Sequence, residues 1–257
     1  MKQKLLSVSL AIALLTLSSI PSTLAAELEE IIQRGKLIVG VKDNLRPLGF
    51  SDAQGNLQGL EIDIAKRLAE ELLRNPDAVV LQPVTNQERL QVVIEGKVDL
   101  TIARVTFTDS RFRIVDLSNY YYLDGTGLVT KNLAVQQLAD LTSGKIAVLK
   151  DSSTISVVHY QLPKAQLIGV ESYQEALSLL ESGQADAFAA DNSVLTGWVQ
   201  EYPQYRMLPV RLSGEALCIV MPKGLQYADL SARVNAAIAH WQKSGWLQER
   251  ATYWGLP

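Results

Sequence analysis

Apolar residues fall into two kinds of segment along this chain: short unbroken runs, and longer stretches with helical spacing. Residues 37–41, Leu-Ile-Val-Gly-Val, form an unbroken run, which predicts a buried strand. Pro47 and Gly49 mark a loop, and Gly55-Asn56 predicts a hairpin within 52–59. From Leu60 the spacing turns helical, with Leu60, Ile64, Leu68 and Leu72 on one face and Glu61, Asp63, Lys66 and Arg67 on others. Residues 79–84 predict a second strand. Thr85-Asn86-Gln87-Glu88 has capping-box spacing, in which the first and last side chains satisfy each other's backbone N–H groups. It predicts the start of a helix carrying Leu90, Val93 and Ile94 and stopped by Gly96. Residues 99–103 follow as a strand, so strand and helix alternate as in a parallel α/β sheet.

The same order returns further on. Residues 145–149 predict a strand, Ser152 to Thr154 a helix start, and 166–170 a strand. Ser172-Tyr173-Gln174-Glu175 repeats the capping box, Leu177 and Leu180 give a core face, Gly183 ends the helix, and 186–190 is a strand. Residues 215–221 predict a final strand. Leu230, Val234, Ile238 and Trp241 predict a closing helix ended by Gly245. Two α/β halves with one repeated plan offer a cleft between them, a preferred place for a small-molecule site because both walls contribute groups.

The N-terminus changes the picture of where such a protein works. Lys2 and Lys4, an apolar run from Leu5 to Ile20, Pro21, and the small-residue end Thr23-Leu24-Ala25 predict an export signal, residues 1–25, cleaved after Ala25. No Cys follows that run to take a lipid anchor, and no second long apolar stretch predicts a membrane span. Cys218 is the single cysteine, so stability must come from core burial rather than a disulfide. A mature chain of about 230 residues is long enough for one large or two smaller cores. Its formal charge of −3 becomes −5 without Lys2 and Lys4, which argues against nucleic acid or an anionic membrane as partner. An acidic ligand would therefore need a local basic cluster.

Several segments together resemble the bacterial solute-binding family 3, the polar amino-acid-binding components of ABC importers. They are Gly35 to Val41, Gly59-Leu-Glu-Ile-Asp-Ile-Ala65, Gly96-Lys-Val-Asp-Leu100, Thr106-Phe-Thr-Asp-Ser-Arg111, Ser118 to Tyr122, Gln184 to Phe188 and Tyr253-Trp-Gly255, in order over essentially the whole mature chain. The resemblance implies two Rossmann-like lobes joined by two hinge strands, as in type II periplasmic binding proteins, with ligand in the cleft. It implies lobe 1 over 26–123 and 213–257 and lobe 2 over 124–212. It further implies that Arg111 pairs with a ligand α-carboxylate, that Thr106 adds donors beside it, that Asp191 accepts from the ammonium, and that the helix start at Ser152, Ser153 and Thr154 faces the ligand. The residue types suit these roles, since a planar guanidinium matches a carboxylate and a helix N-terminus favours anions. By themselves, Arg111 reads equally as a solvated helix-start charge and Asp191 as an N-cap for a helix bearing Val194 and Trp198.

Specificity should lie where the chain departs from its relatives. Lys42 stands where histidine- and glutamine-binding relatives commonly carry aspartate, and Leu45 where many carry an aromatic. A like charge in a desolvated pocket disfavours cationic ligands, and the missing ring removes a cation–π platform. Arg89, just after the first capping box, resembles an arginine that meets ligand carboxylate in acidic-ligand relatives. Arg104, two residues before Thr106, stands where small or hydroxyl residues are usual, and reaches the side-chain carboxylate, narrows the pocket or points out towards Glu or Asp neighbours. The expected ligand is glutamate or aspartate, with neutral polar amino acids such as glutamine or asparagine as the alternative. A ligand-sensing module on the same fold is a further alternative. Catalysis is not expected: His159 and His240 lie outside the matched cleft positions, and neither a metal-ligand cluster nor a cofactor motif stands out. The expected partner is an inner-membrane permease, and the expected form is a periplasmic monomer.

Overall fold

A computed structural model describes residues 26–150 and 152–257, so the export signal lies outside the described residues. The chain starts with α1 (Leu28–Arg34), β1 (Leu37–Val41) and a small sheet of β2 (Asn44–Leu45), β3 (Gly49–Ser51) and β4 (Leu57–Gln58). There follow α2 (Leu60–Leu73), β5 (Val79–Pro83), α3 (Gln91–Ile94), β6 (Leu100–Thr106), α4 (Asp109–Ile114) and β7 (Asp116–Asp124). A second unit is built from β8 (Thr126–Thr130), β9 (Lys145–Leu149), α5 (Thr154–Gln161), β10 (Gln166–Val170), α6 (Tyr173–Glu181), β11 (Ala187–Asp191), α7 (Asn192–Glu201) and β12 (Arg206–Met207). The chain then returns as β13 (Glu215–Met221), α8 (Ala228–Ser244) and α9 (Trp246–Tyr253).

Two sheets with one plan result. The first has order β5-β1-β6-β13-β7 and the second β10-β9-β11-β8-β12. In each, three parallel strands are followed by an antiparallel fourth, β13 against β6 and β8 against β11. The central strands are apolar without alternation because helices cover both faces. Leu37, Val39 and Val41 are fully buried with Leu68 of α2 and Trp241 of α8 in one core, while Phe188 and Trp198 anchor the core of the other lobe. The two-lobed α/β architecture is thus the expected one. No helix among the described residues is long and apolar enough to cross a membrane.

The chain crosses between sheets at Gly125 and returns over 208–214, and the two crossings touch. Thr126 N donates to Ser213 Oγ at 2.9 Å and Leu212 N to Thr126 O at 2.8 Å. A Cβ on Gly125 would lie 2.0 Å from Ser213 O, so only glycine lets these segments pass so closely.

Three sequence expectations need correction. The capping box at Thr85 forms, with Thr85 N donating to Glu88 Oε2 and Glu88 N to Thr85 Oγ1, each at 3.2 Å. Its helix is shorter than the spacing suggested: 86–90 is a turn and α3 has one helical turn, because Lys97 N and Val98 N fold back onto Val92 O ahead of β6. At Ser172 the box is half formed, since Glu175 accepts from Glu171 N instead of Ser172 N. Glu61, assigned to an outer face of its helix, is fully buried.

Candidate ligand-binding site

Parallel strands end towards the cleft, and open α/β sheets bind ligands beyond the carboxyl ends of their strands. Lys42 directly follows β1, Arg89 lies in the turn after β5, and Arg104 and Thr106 fall within the last three residues of β6. Arg111 lies on the short helix after β6. Ser153 follows β9, Thr154 opens α5, and Asp191 is the last residue of β11.

On the lobe 1 wall Lys42, Arg89 and Arg111 are tied to oxygens of their own lobe. Thr108 caps α4, its Oγ1 accepting from Arg111 N at 3.2 Å. The Arg111 guanidinium turns back to Thr106, donating to its carbonyl at 2.8 Å and to its hydroxyl. Arg111 is therefore a positioned group rather than a freely solvated charge, and burial together with Arg104 lowers its pKa. Lys42 is 6 % exposed and its Nζ donates to Val84 O at 2.9 Å. Burial lowers its pKa, with Asp43 opposing. Arg89 differs from expectation in its orientation: its Nη1 donates to the carbonyls of Ala103, at 2.8 Å, and Arg104. Burial, then Arg111 and Arg104, lower its pKa to about 10. Its visible work is to hold the end of β6.

Arg104 has φ +49°, a left-handed conformation that residues with a Cβ seldom adopt. Glu61 secures it from below, Oε1 accepting from Arg104 N at 2.6 Å and from the Tyr121 hydroxyl at 2.5 Å. Burial raises the Glu61 pKa, while Tyr121 and Arg104 oppose the rise. The Arg104 side chain leaves its own lobe and pairs with Asp191. Of the three orientations left open by the sequence, pairing with an acid was one, but the acid it meets stands across the cleft on lobe 2, and Arg104 also lines the cavity.

On the lobe 2 wall Asp191 occupies the N-cap position of α7, yet its side chain makes no capping bond. Asp124, at the end of β7, does that work instead: Ser193 N donates to Asp124 Oδ1 at 3.1 Å and Ser193 Oγ to Oδ2 at 2.5 Å. Asp191 is thereby released towards lobe 1. At the start of α5, Thr154 is buried, Ser153 is exposed, and Thr154 N donates to Ser152 Oγ at 3.1 Å. No hydrogen bond or ion pair joins Ser153 or Thr154 to the other site residues among the described residues.

A cavity of about 480 Å³ lies between the lobes, within the range usual for small ligands. Lys42, Leu45, Thr85, Glu88 and Arg104 line it from lobe 1 and Tyr173 from lobe 2. The lobes meet beside it. Leu45 packs against the cores of both, and a Cβ on Gly197 of α7 would lie 2.3 Å from Arg46 O. No group of side chains suited to a metal ion occurs among the described residues.

Glu61, Asp124 and Tyr173 are the site residues that sequence reasoning missed. Glu61 was visible only inside a matched segment, Tyr173 only as part of a cap, and Asp124 carried no local signal.

Residues 37–257 match the model of the bacterial extracellular solute-binding proteins, family 3. The chain belongs to this family. This solute-binding protein is 35 % identical over 191 residues to the glutamine-binding protein of Geobacillus stearothermophilus, covering 73 % of each chain. It is 30 % identical over 235 residues to the ABC transporter glutamine-binding protein of Bacillus subtilis strain 168, covering 90 % of this chain and 84 % of that one. Among solved structures, an ancestral cationic amino acid solute-binding protein superposes with TM-score 0.75 at 28 % identity, covering 88 % of this chain and 98 % of the other. The two-lobed fold and the family expected from the sequence are therefore established for this solute-binding protein.

Proposed function

We propose that this chain captures an acidic amino acid, glutamate or aspartate, between its lobes and delivers it to the membrane permease of an ABC importer. The α-carboxylate pairs with Arg111, which Thr106 orients. The ammonium is received by Asp191, and the side-chain carboxylate enters the cavity towards Lys42. The observation that carries this reading is the desolvated positive charge on the lobe 1 wall, where burial lowers the pKa of Lys42, Arg89 and Arg111 alike. Two ligand carboxylates would relieve that charge, whereas a cationic side chain would meet it at a cost of several kcal/mol. Residues 1–25 direct export, the mature chain works outside the cytoplasm as a monomer, and the ligand leaves unaltered.

A second reading, an amide ligand such as glutamine or asparagine, is favoured by the two glutamine-binding relatives and by Glu88 and Asp43 in the cavity beside Lys42. Calorimetry of the mature chain with glutamate, aspartate, glutamine, asparagine, arginine and histidine separates the two. The acids are expected to bind most tightly. Glutamine tightest, with the acids at least about tenfold weaker, would put the second reading in place of the first. Arginine or histidine binding while all four others fail would sink both.

A further inference from the structure

We propose that Arg104 is a built-in stand-in for the ligand's ammonium group, holding Asp191 while the cleft is empty and giving it up when an amino acid enters. The proposal rests on the assignment of Asp191 as the ammonium acceptor and explains what that carboxylate does without ligand.

Three independent features converge on this pair. The first is backbone conformation: Arg104 sits at φ +49° although it carries a Cβ. Both of its peptide groups are clamped, the N–H by Glu61 and the carbonyl by Arg89, which fixes the direction in which the side chain leaves β6. The second is the contact itself, Nη2 on Asp191 Oδ2 across the cleft, with the two side chains only 20 % and 12 % exposed. The third is the release of Asp191 from helix capping by Asp124.

A carboxylate so shielded needs a cation, and stripping one away from it is costly. Arg104 supplies the cation when no ligand is present. An entering amino acid brings its own ammonium to Asp191, and the displaced guanidinium, already lining the cavity with Lys42, faces the ligand's carboxylates. Each charge keeps a counter-charge throughout the exchange. Two consequences follow: the empty lobes are held together by a bond of their own, and the ligand's amine gains little because it replaces an existing cation.

Small-angle scattering of the ligand-free protein tests the first consequence. Arg104→Gly suits the left-handed backbone and should fold at least as well, which its melting temperature checks. Arg104→Gly and Asp191→Asn should each increase the radius of gyration by the same amount, and the double variant by no more. An unchanged radius in both single variants overturns the proposal. Calorimetry with L-glutamate and with glutarate, which lacks the amine, tests the second. The preference for glutamate over glutarate should rise at least about tenfold in Arg104→Gly. The same ratio in both proteins overturns the exchange. Scattering needs no ligand, so loss of the ammonium assignment is recognised separately: in the Arg104→Gly background Asp191→Asn should weaken glutamate at least about tenfold, and unchanged affinity there overturns the assignment and with it the exchange.

Discussion

Lobe 1 presents Lys42, Arg89 and Arg111, each tied by hydrogen bonds to oxygens of its own lobe, whereas lobe 2 presents Asp191, a carboxylate spared from capping its own helix. One wall is therefore a prepared set of cations and the other a counter-charge that finds its partner only across the gap. On the proposed function, this difference gives selection of the ligand to lobe 1 and closure to lobe 2. Desolvated cations crowd one another on lobe 1, and burial is the leading cause of pKa lowering for Lys42, Arg89 and Arg111.

The largest expected effect comes from removing the cation proposed to hold the α-carboxylate. Arg111→Ala should weaken every amino acid by about a hundredfold or more, as expected when one partner of a desolvated charge pair is deleted. Calorimetry across acidic, amide and neutral ligands checks this, and a loss confined to acids would move Arg111 from the common end of the ligand to the side-chain end. Gly197→Ala tests the closure assigned to lobe 2. Its added methyl meets Arg46 O, so overpacking of about 1–3 kcal/mol should hold the lobes apart and weaken ligands about tenfold. Scattering should then show a larger radius of gyration than the native chain with ligand bound, and a native radius would place closure elsewhere.

Selection is probed more finely at Lys42. Lys42→Met should lower the preference for glutamate over glutamine by about tenfold while leaving glutamine affinity nearly unchanged. An equal loss for both would make Lys42 a structural support through Val84. Asp124→Ala removes the surrogate cap of α7 and should cost about 1–2 kcal/mol. Its melting temperature should fall by about 2–4 °C per kcal/mol, the scale for a chain of this size. An unchanged melting temperature would mean that Asp191 turns back to cap α7.

The smallest effect is electrostatic. Burial raises the Glu61 pKa, so the folded state holds its proton at pH values where the unfolded chain has lost it. That contribution is complete below the unfolded pKa, about 4.3, and is lost as pH rises through the higher folded value. Glu61→Gln does not titrate. Its melting temperature relative to the native chain should therefore rise as pH is raised from about 4, and a pH-independent difference would show that Tyr121 and Arg104 cancel the cost of burial.

Much of the scaffold is legible in the sequence. The runs 37–41, 145–149 and 215–221 coincide with β1, β9 and β13, because inner strands covered by helices must be largely apolar, and 166–170 coincides with β10, an edge strand in which only Val170 is buried. Gly245 ends α8 in the left-handed conformation its position requires. The site was legible as residue types rather than as partnerships. Lys42, Arg104 and Arg111 were recognised as cations, but the carbonyl that receives Lys42 and the cross-cleft pairing of Arg104 join residues whose relation depends on tertiary structure. Arg89 illustrates the limit: a helix-start arginine looks ligand-ready until β6 brings two backbone carbonyls to it.

By itself, then, the sequence determined the alternation of strand and helix, the repeated plan of the halves and the family, since each depends on periods and local signals within a few residues. Tertiary structure decided which acid caps α7, that Glu61 is buried beneath Arg104, and that Arg104 and Asp191 meet. Those outcomes couple residues far apart in the chain through sheet register and lobe closure. Charge and hydrogen bonding act over a few ångströms of space, and sequence separation carries no record of that distance.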